Sequence, residues 1–175
     1  KHKSAAFIYN MTMAEGSGKH GELADESVRR ELQSILDKSV WVPRKMSKRE
    51  LIKLRKRILS SKMFLKEKFF SSGEFEKLKA RLVAGGHMQD RKLWPDTSSP
   101  TASVSSLFIV AALAAMERRH VWTMDIASAF LNASMEGEDV YLRLQPAVAA
   151  ILKELAPEYE EYMQEDGSVI MKLTK

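Results

Sequence analysis

The chain has 175 residues, of which 45% are hydrophobic and 29% are charged. This composition is typical of one folded domain or of part of a larger one, and it excludes an intrinsically disordered chain. Cysteine is absent, which excludes disulfide frameworks, thiolate metal sites and cysteine nucleophiles. No apolar run is long enough to span a bilayer, and the first ten residues lack the apolar core of a secretory signal. We therefore expect an intracellular protein that is neither secreted nor in a membrane.

The charge is unevenly distributed along the chain. The formal net charge is +5; residues 44–68 are strongly basic, whereas residues 132–166 are acidic on balance. A basic half of this kind fits a polyanionic partner such as a nucleic acid. A solvated basic helix explains the same pattern, and charge alone does not decide between the two.

The first third of the chain divides into two predicted segments. Residues 1–24 are rich in Gly, Ser and charge, which indicates a flexible lead-in. Residues 25–60 form a leading basic segment, in which apolar residues at helical spacing predict a helix that ends near Ser39. Residues 47–60 fit either a short basic amphipathic helix or a basic strand and loop.

Residues 61–120 are predicted to form a hairpin followed by a buried helix. Two strand-like runs over residues 62–84 flank a turn at Gly73. After Pro100, an apolar stretch predicts a helix that runs to about Arg119. Because this helix is apolar nearly all round, we expect it to be buried.

Residues 121–175 complete a predicted α+β fold. Short strands are expected at 121–126, 140–144 and 169–173. The intervening residues 148–163 are mostly helical in pattern.

The first of these strands carries a carboxylate in an apolar setting, at Asp125. A buried carboxylate without a partner costs several kcal/mol, so this one needs an arginine, backbone N–H groups or a metal ion. A structural role, as the cap of residues 127–131, is as consistent with the spacing as a functional role.

Two motifs resemble those of copia-type retrotransposon reverse transcriptases. The run Met124-Asp-Ile-Ala-Ser-Ala-Phe-Leu-Asn132 is similar to the first palm motif, and Lys79-Ala-Arg-Leu-Val-Ala84 is similar to the fingers motif. Residues 62–81 align with the fingers hairpin without a gap, and the matching segments follow one order over residues 25–175. The resemblance implies the fingers and the start of the palm of a right-hand polymerase.

The resemblance also implies roles for particular residues. Asp125 and the carbonyl of Ile126 would bind the two Mg²⁺ or Mn²⁺ ions of a nucleotidyl transferase. Phe130 would pack under the sugar of the incoming nucleotide. Arg81 would contact its triphosphate through paired hydrogen bonds, and Lys79 would add charge. Read without the family, Phe130 is a core aromatic, and the two cations are exposed positions of a half-buried strand.

The sequence departs from the family where the remaining metal ligands belong. It contains no Asp-Asp pair, so the Tyr-x-Asp-Asp motif is absent, and Gly85 and His87 replace a cation and an aromatic residue. We therefore expect a fragment that is inactive alone. In the intact polyprotein it would meet an RNA template, a DNA primer, dNTPs and the remaining palm, thumb and RNase H, in the cytoplasm (within a virus-like particle) or in the nucleus. The alternative is a non-catalytic relic or a co-opted basic nucleic-acid-binding module.

Overall fold

The computed structural model describes residues 10–90, 92 and 100–175. It has a mixed α+β fold, as predicted. The strands are β1 (Asn10–Thr12), β2 (Trp41–Arg44), β3 (Ile58–Phe69), β4 (Phe75–Ala84), β5 (Tyr141–Leu144) and β6 (Val169–Leu173). The α-helices are α1 (Met13–His20), α2 (Glu22–Asp37), α3 (Lys48–Lys53), α4 (Val104–Met116) and α5 (Pro146–Leu155). Short 3-10 turns cover Arg55–Arg57, Gly86–Met88, Ala129–Asn132 and Pro157–Tyr162.

The described strands form one six-stranded sheet in the order β1-β3-β5-β6-β2, with β4 also paired to β3. β3 is the long central strand. Its first residues pair in parallel with β5, and its remainder pairs antiparallel with β4 along one edge and with β1 along the other. β6 lies inside the sheet, between β5 and β2. None of the helices in the described part of the chain is long and apolar enough to cross a bilayer.

The main core lies between one face of the sheet and the two helices α2 and α5. α2 contributes a helical stripe that includes Val28 and Leu32, both fully buried. Leu65 of β3 is also fully buried in this layer. A smaller apolar cluster, built around Tyr141 and Ile170, covers the other face beneath α3.

α2 also closes the outer edge of β4 with its side chains. The buried Ser27 hydroxyl donates a hydrogen bond to the Leu78 carbonyl (3.0 Å) and accepts one from the Ala80 N–H (2.9 Å). One turn further, a carboxylate oxygen of Glu31 accepts from the Leu82 N–H (3.3 Å). The helix thus satisfies backbone groups that an added strand would otherwise pair with.

The opposite end of the sheet is the short strand β2. Pro43 lies within it, opposite Met171 of β6. Proline has no backbone N–H to offer, and it is tolerated in sheets at edge positions of this kind.

The start of the chain differs from the predicted flexible lead-in. Residues 1–9 lie outside the described residues. From Asn10 the chain forms β1 and then α1, whose N-cap Thr12 makes a reciprocal capping box with Glu15. The capping box satisfies backbone N–H groups at the helix start, which explains why a Gly- and Ser-containing sequence is helical here.

Gly16 is the point of closest approach between α1 and the hairpin. It is buried, and a Cβ placed on it would lie 3.3 Å from Cβ and Cγ of Leu65 and closer still to Leu65 Cδ1. Gly16 therefore allows α1 to pack closely against β3. The Gly- and Ser-rich composition of this segment does not indicate such a role.

Three further predictions differ in detail. The basic stretch 47–60 combines both alternatives, since α3 ends at Lys53 and β3 already begins at Ile58. The helix predicted after Pro100 forms as α4, but the expectation that it is buried is wrong: Phe108 is 69% exposed. α4 has the all-round apolar surface of a core helix, but few contacts with the other described elements cover it.

The strand predicted over residues 121–126 is not formed. Trp122 in this segment is 85% exposed. A strand is stable only when its backbone groups pair with a neighbour, and none of the six described strands extends to these residues. The predicted hairpin and the strand over Val169–Leu173 are confirmed.

We expect Gly16→Ala to lower the free energy of unfolding by about 1–3 kcal/mol, because the added methyl group overpacks against Leu65. Gly18→Ala is the matched control in the same helix. Nothing lies within 4 Å of a Cβ at that position, so this change should stabilise by about 0.5–1 kcal/mol. Urea unfolding of both variants checks the prediction, and equal effects would contradict it.

We expect Ser27→Ala to destabilise by about 1–3 kcal/mol, because the Ala80 N–H and the Leu78 carbonyl lose their buried partner. Native-state hydrogen exchange should show faster exchange at the Ala80 amide. Ser34→Ala, at an exposed position of the same helix, is the control and should leave that amide unchanged.

Candidate functional site

The β3–β4 hairpin positions two of the predicted site residues, Lys79 and Arg81. Leu65 of β3 lies opposite Ala80, and Met63 lies opposite Leu82. These four side chains point toward α2 and the core. Because side chains alternate along a strand, the residues between them project from the opposite face of the hairpin.

That opposite face contains two cross-strand pairs of cations and one pair of an aromatic residue with a cation. Lys66 lies opposite Lys79, Lys68 lies opposite Lys77, and Phe64 lies opposite Arg81. We use the term cationic hairpin face for this set, which comprises Lys62, Lys66, Lys68, Lys77, Lys79 and Arg81, around Phe64. Over residues 60–68 and 77–83, this face carries no carboxylate.

Two carboxylates of the same hairpin, Glu67 and Glu76, form ion pairs. Glu67 projects from the other face, where Lys19 (2.7 Å) and His20 (2.8 Å) of α1 bind its Oε1. Glu76 pairs with Lys77 at 2.7 Å. Within the described residues, the other five cations of the face have no ion-pair partner. Glu67 is thus directed away from the cationic hairpin face, whereas Glu76 neutralises one of its six cations.

The hydrogen bond from Lys19, with a smaller one from His20, holds the pKa of Glu67 below its ordinary value of 4.5, although partial burial opposes the shift. His20 also stacks on Phe75, with ring centroids 5.8 Å apart. α1 is thereby fixed to the hairpin by an ionic and an aromatic contact. These contacts orient the face that carries the cations.

Asp125 and Ile126 lie in an exposed loop that follows α4. Ile126 is 63% exposed, and Asp125 is also exposed. In the part of the chain that the structure describes, residues 120–126 form no hydrogen bond with any other segment. Asp125 is therefore not a buried carboxylate, and it does not cap residues 127–131; the structural alternative is not supported.

The second half of the palm-like motif is anchored to the body of the protein. Ser128 adopts a left-handed conformation (φ 53°), and the turn Ala129–Asn132 follows it. Leu131 packs against the main core. The Asn132 amide donates to the Ala127 carbonyl at 3.4 Å. The side chain of Phe130 lies outside the described residues.

Leu131 meets the end of the fingers-like motif at one cavity. This cavity of about 270 Å³ is lined by Leu131 and by Leu82 and Ala84 of β4. Trp41 and Leu142 also line it, and Glu31 and Lys175 supply its charged groups. The two motifs are thus brought together at their apolar positions. No contact between the described side chains joins Asp125 to Lys79 or Arg81.

The described residues do not fit a complete metal site. Across residues 10–90, 92 and 100–175, no three His, Cys, Asp or Glu side chains form a group suited to a metal ion. Mg²⁺ requires near-octahedral coordination by oxygen. Asp125 offers one carboxylate and Ile126 one carbonyl, so a site of two ions needs further ligands.

The family of the chain follows from sequence comparison. The family model described as reverse transcriptase (RNA-dependent DNA polymerase) matches residues 50–155, which are 106 of the 175 residues. The chain belongs to the reverse transcriptase family. The matched range contains both motifs, with Lys79, Arg81 and Asp125. No solved structure matches the chain.

Sequence reasoning singled out Lys79 and Arg81 but missed Lys62, Lys66 and Lys68. The sequence does contain a signal for them. These three lysines occupy even-numbered positions of a predicted strand, so their side chains lie on one face of it. Only the register of the two strands shows that the cations of β3 and β4 share one face.

We expect the contribution of Glu67 to stability to depend on pH. Because its pKa is lowered in the folded state, the stabilisation is present above its ordinary pKa and is lost as the pH falls through the folded-state value. Glu67→Gln should cost about 0.5–1 kcal/mol near neutral pH. The difference from the unmodified chain should vanish under acid conditions.

Urea unfolding between pH 7 and pH 3 measures this difference, with Glu136→Gln as the matched control. A cost of Glu67→Gln that stays constant across the range would contradict the assigned contact.

Proposed function

We propose that this chain forms the fingers and the start of the palm of a copia-type retrotransposon reverse transcriptase. The observation that carries the proposal is the pair of motifs within the matched range. One runs from Lys79 to Ala84 on β4, the other from Met124 to Asn132, and they meet at the cavity between Leu82, Ala84 and Leu131. In this reading, the intact polyprotein copies RNA into DNA.

The cations of β4 are assigned to the incoming nucleotide. The guanidinium of Arg81 is exposed and has no ion-pair partner among the described residues, so it is available to a triphosphate. A guanidinium donates two parallel hydrogen bonds to phosphate oxygens, which a lysine cannot match in geometry. Lys79 lies on the same face, two residues earlier, and adds positive charge. Phe130 is assigned to the sugar of that nucleotide.

Asp125 and the carbonyl of Ile126 are assigned to the divalent ions. Mg²⁺ or Mn²⁺ would neutralise phosphate charge and orient the attacking hydroxyl. One carboxylate does not complete such a site. The proposal therefore requires further carboxylates, which the described residues do not bring together with Asp125. The exposed position of Asp125 leaves its side chain accessible to them.

The remaining partners of the proposal follow from the polymerase reaction. They are an RNA template, a DNA primer, dNTPs and the rest of the palm, the thumb and RNase H. The proposed location is the cytoplasm, within a virus-like particle, or the nucleus.

A second candidate function is a non-catalytic nucleic-acid-binding module. The cationic hairpin face favours it, because this face is complete within the described residues and makes no contact with Asp125. Such a module needs no second carboxylate and no divalent ion. Primer extension should be lost when Asp125 is substituted, whereas nucleic-acid binding by the module should not. This difference distinguishes the two functions.

The polymerase proposal is tested with a chimera, in which residues 50–155 replace the corresponding segment of an active copia-type reverse transcriptase. We expect the chimera to extend an oligo(dT) primer on poly(rA) with dTTP and Mg²⁺. Asp125→Asn should lower the rate by more than about a hundredfold, since losing even an outer partner of a metal site costs 10- to 100-fold. The 175-residue chain by itself should not extend the primer.

Asp139→Asn is the matched control. Within the grafted residues, Asp139 accepts a hydrogen bond from the Tyr141 hydroxyl at 3.3 Å beside β5, and its substitution should change the rate little. A chimera that unfolds cooperatively but has no activity, or that tolerates Asp125→Asn, would refute the polymerase assignment.

A further inference from the structure

We propose that Ser47 is a phosphorylation site for a basophilic protein kinase, and that Arg143 binds the phosphate group once it is attached. A basophilic kinase is one that selects serines preceded by basic residues. Ser47 has no part in the polymerase reaction or in the nucleic-acid contact proposed above, so the modification is a separate property of the chain.

The sequence around Ser47 has the charge pattern that such kinases select. They favour a serine or threonine that follows an arginine by three residues, because carboxylates of the kinase bind the guanidinium. In the whole chain, two serines and no threonine meet this condition: Ser47, which follows Arg44, and Ser60, which follows Arg57. The sequence alone therefore leaves two candidates.

The fold withdraws Ser60 from a kinase. Ser60 lies in β3, where it pairs with β5, and its carbonyl accepts a hydrogen bond from the Gly85 N–H at 2.8 Å. Leu59, the residue before it, is 4% exposed and belongs to the main core. An enzyme that modifies a side chain needs the surrounding backbone to be exposed and free to leave its contacts. Ser60 would reach a kinase only if the sheet came apart.

The fold presents Ser47 instead. Ser47 and Arg44 are both exposed, and the backbone of Ser47 is extended, with φ −69° and ψ 158°. The helix α3 that follows has six residues, none of them buried. So short a surface helix can open locally at little cost in free energy. A kinase can therefore bind this segment while the rest of the sheet stays folded.

The phosphoryl donor is ATP, which the kinase binds with Mg²⁺. The Ser47 Oγ attacks the γ-phosphorus, and the new Oγ–P bond replaces the bond from that phosphorus to the oxygen it shares with the β-phosphorus. ADP leaves, and the hydroxyl proton passes to a carboxylate of the kinase. The product carries a charge of about −1.5 to −2 near neutral pH.

The phosphate group is not compatible with the present cap of α3. The Ser47 hydroxyl donates a hydrogen bond to a carboxylate oxygen of Glu50 at 2.7 Å. Phosphorylation removes the donated proton and places a second anion beside this carboxylate, so the two groups repel each other. The phosphate is therefore directed away from Glu50.

A cavity on the other side of Ser47 contains cations that suit a phosphate. Its volume is about 290 Å³, and its lining includes Ser47, Lys45, Lys48 and Arg143. The Nε of Arg143 is buried and has no hydrogen-bond partner among the described residues. The Nη1 of Arg143 lies 3.6 Å from a carboxylate oxygen of Asp166, which is too far for a good hydrogen bond. This guanidinium thus lacks an acceptor, which a phosphate oxygen would supply.

The carboxylates of the cavity do not neutralise all of its cations. Glu165 forms an ion pair with Lys48 at 2.8 Å. Asp166 accepts hydrogen bonds from the N–H and the hydroxyl of Ser168, at 2.9 and 2.6 Å. Lys45 has no ion-pair partner among the described residues. Three cations against two carboxylates leave the cavity positive, and this favours a bound dianion.

A phosphate held by Arg143 would join two elements of the fold. Ser47 directly precedes α3, whereas Arg143 belongs to β5. Between them lies the smaller apolar cluster around Tyr141 and Ile170. The modification would therefore fasten α3 to the sheet above this cluster.

The first test treats the folded 175-residue chain with radiolabelled ATP, Mg²⁺ and the catalytic subunit of cyclic-AMP-dependent protein kinase, and maps the modified residue by mass spectrometry. We expect one main site, at Ser47. Ser47→Asn removes the hydroxyl but keeps a side chain that caps a helix, and it should lower incorporation by about tenfold or more. Arg44→Gln should lower kcat/KM of the kinase by about tenfold or more, because a charge-assisted contact is lost.

Ser60→Ala is the matched control, since Ser60 also follows an arginine by three residues. It should change incorporation by less than about twofold, because the folded sheet already withholds this serine from the kinase. Cooperative urea unfolding of each variant checks that the chain is folded.

The second test follows the phosphoserine of the modified chain by phosphorus NMR during a pH titration. Arg143→Gln should raise the second pKa of the phosphoserine, because a nearby cation favours the dianion. Lys53→Gln is the matched control. Lys53 is an exposed cation at the other end of α3, and it does not line the cavity, so its loss should leave that pKa unchanged.

The proposal is overturned if the folded chain incorporates no phosphate, if the phosphate is found on Ser60, or if Ser47→Asn incorporates as much as the unmodified chain. It is also overturned if Arg143→Gln and Lys53→Gln have equal effects on the pKa of the phosphoserine.

Discussion

The arrangement of the described residues depends on how α2 holds the outer strand of the hairpin. The Ser27 hydroxyl bridges the Leu78 carbonyl and the Ala80 N–H, and Glu31 accepts from the Leu82 N–H. These bonds fix β4 along the helix, and the burial of Leu65 fixes β3 beside it. Because a strand alternates its side chains, fixing one face also fixes the other. The direction of the cations thus follows from the packing of the core.

The cationic hairpin face and the carboxylate of Asp125 lie in separate parts of this fold. The hairpin is tied to α1 by Glu67, to α2 by Ser27 and to the rest of the sheet through β5. Among the described residues that follow the loop with Asp125, Leu131 packs against the core. The hairpin surface is consequently built from residues that restrain one another, whereas the carboxylate lies in a segment with little packing of its own. The cationic hairpin face and the loop with Asp125 are therefore unequally restrained within the described residues.

Sequence reasoning succeeded where local pattern and packing agree. The alternation around Gly73 predicted the hairpin, and the apolar run after a turn predicted β6. It failed for residues 121–126 because β propensity describes a residue in a paired strand, and the partner is not among the described strands. It failed for the burial of α4 for a similar reason, since an apolar surface indicates what a helix needs but not what covers it. The role of Gly16 and the shared face of the lysines depend on contacts between distant residues, which spacing alone does not contain.

The two ends of the sheet differ in how they are protected, and the difference has a consequence for self-association. The β4 edge is covered by side chains of α2, whereas β2 is the edge strand at the other end of the sheet. Pro43 lies in the middle of β2, opposite Met171. An incoming strand would find a break in the row of donors there, and intermolecular sheet growth would be interrupted at its first step. A single imino acid thus discourages fibril-like assembly along the β2 edge.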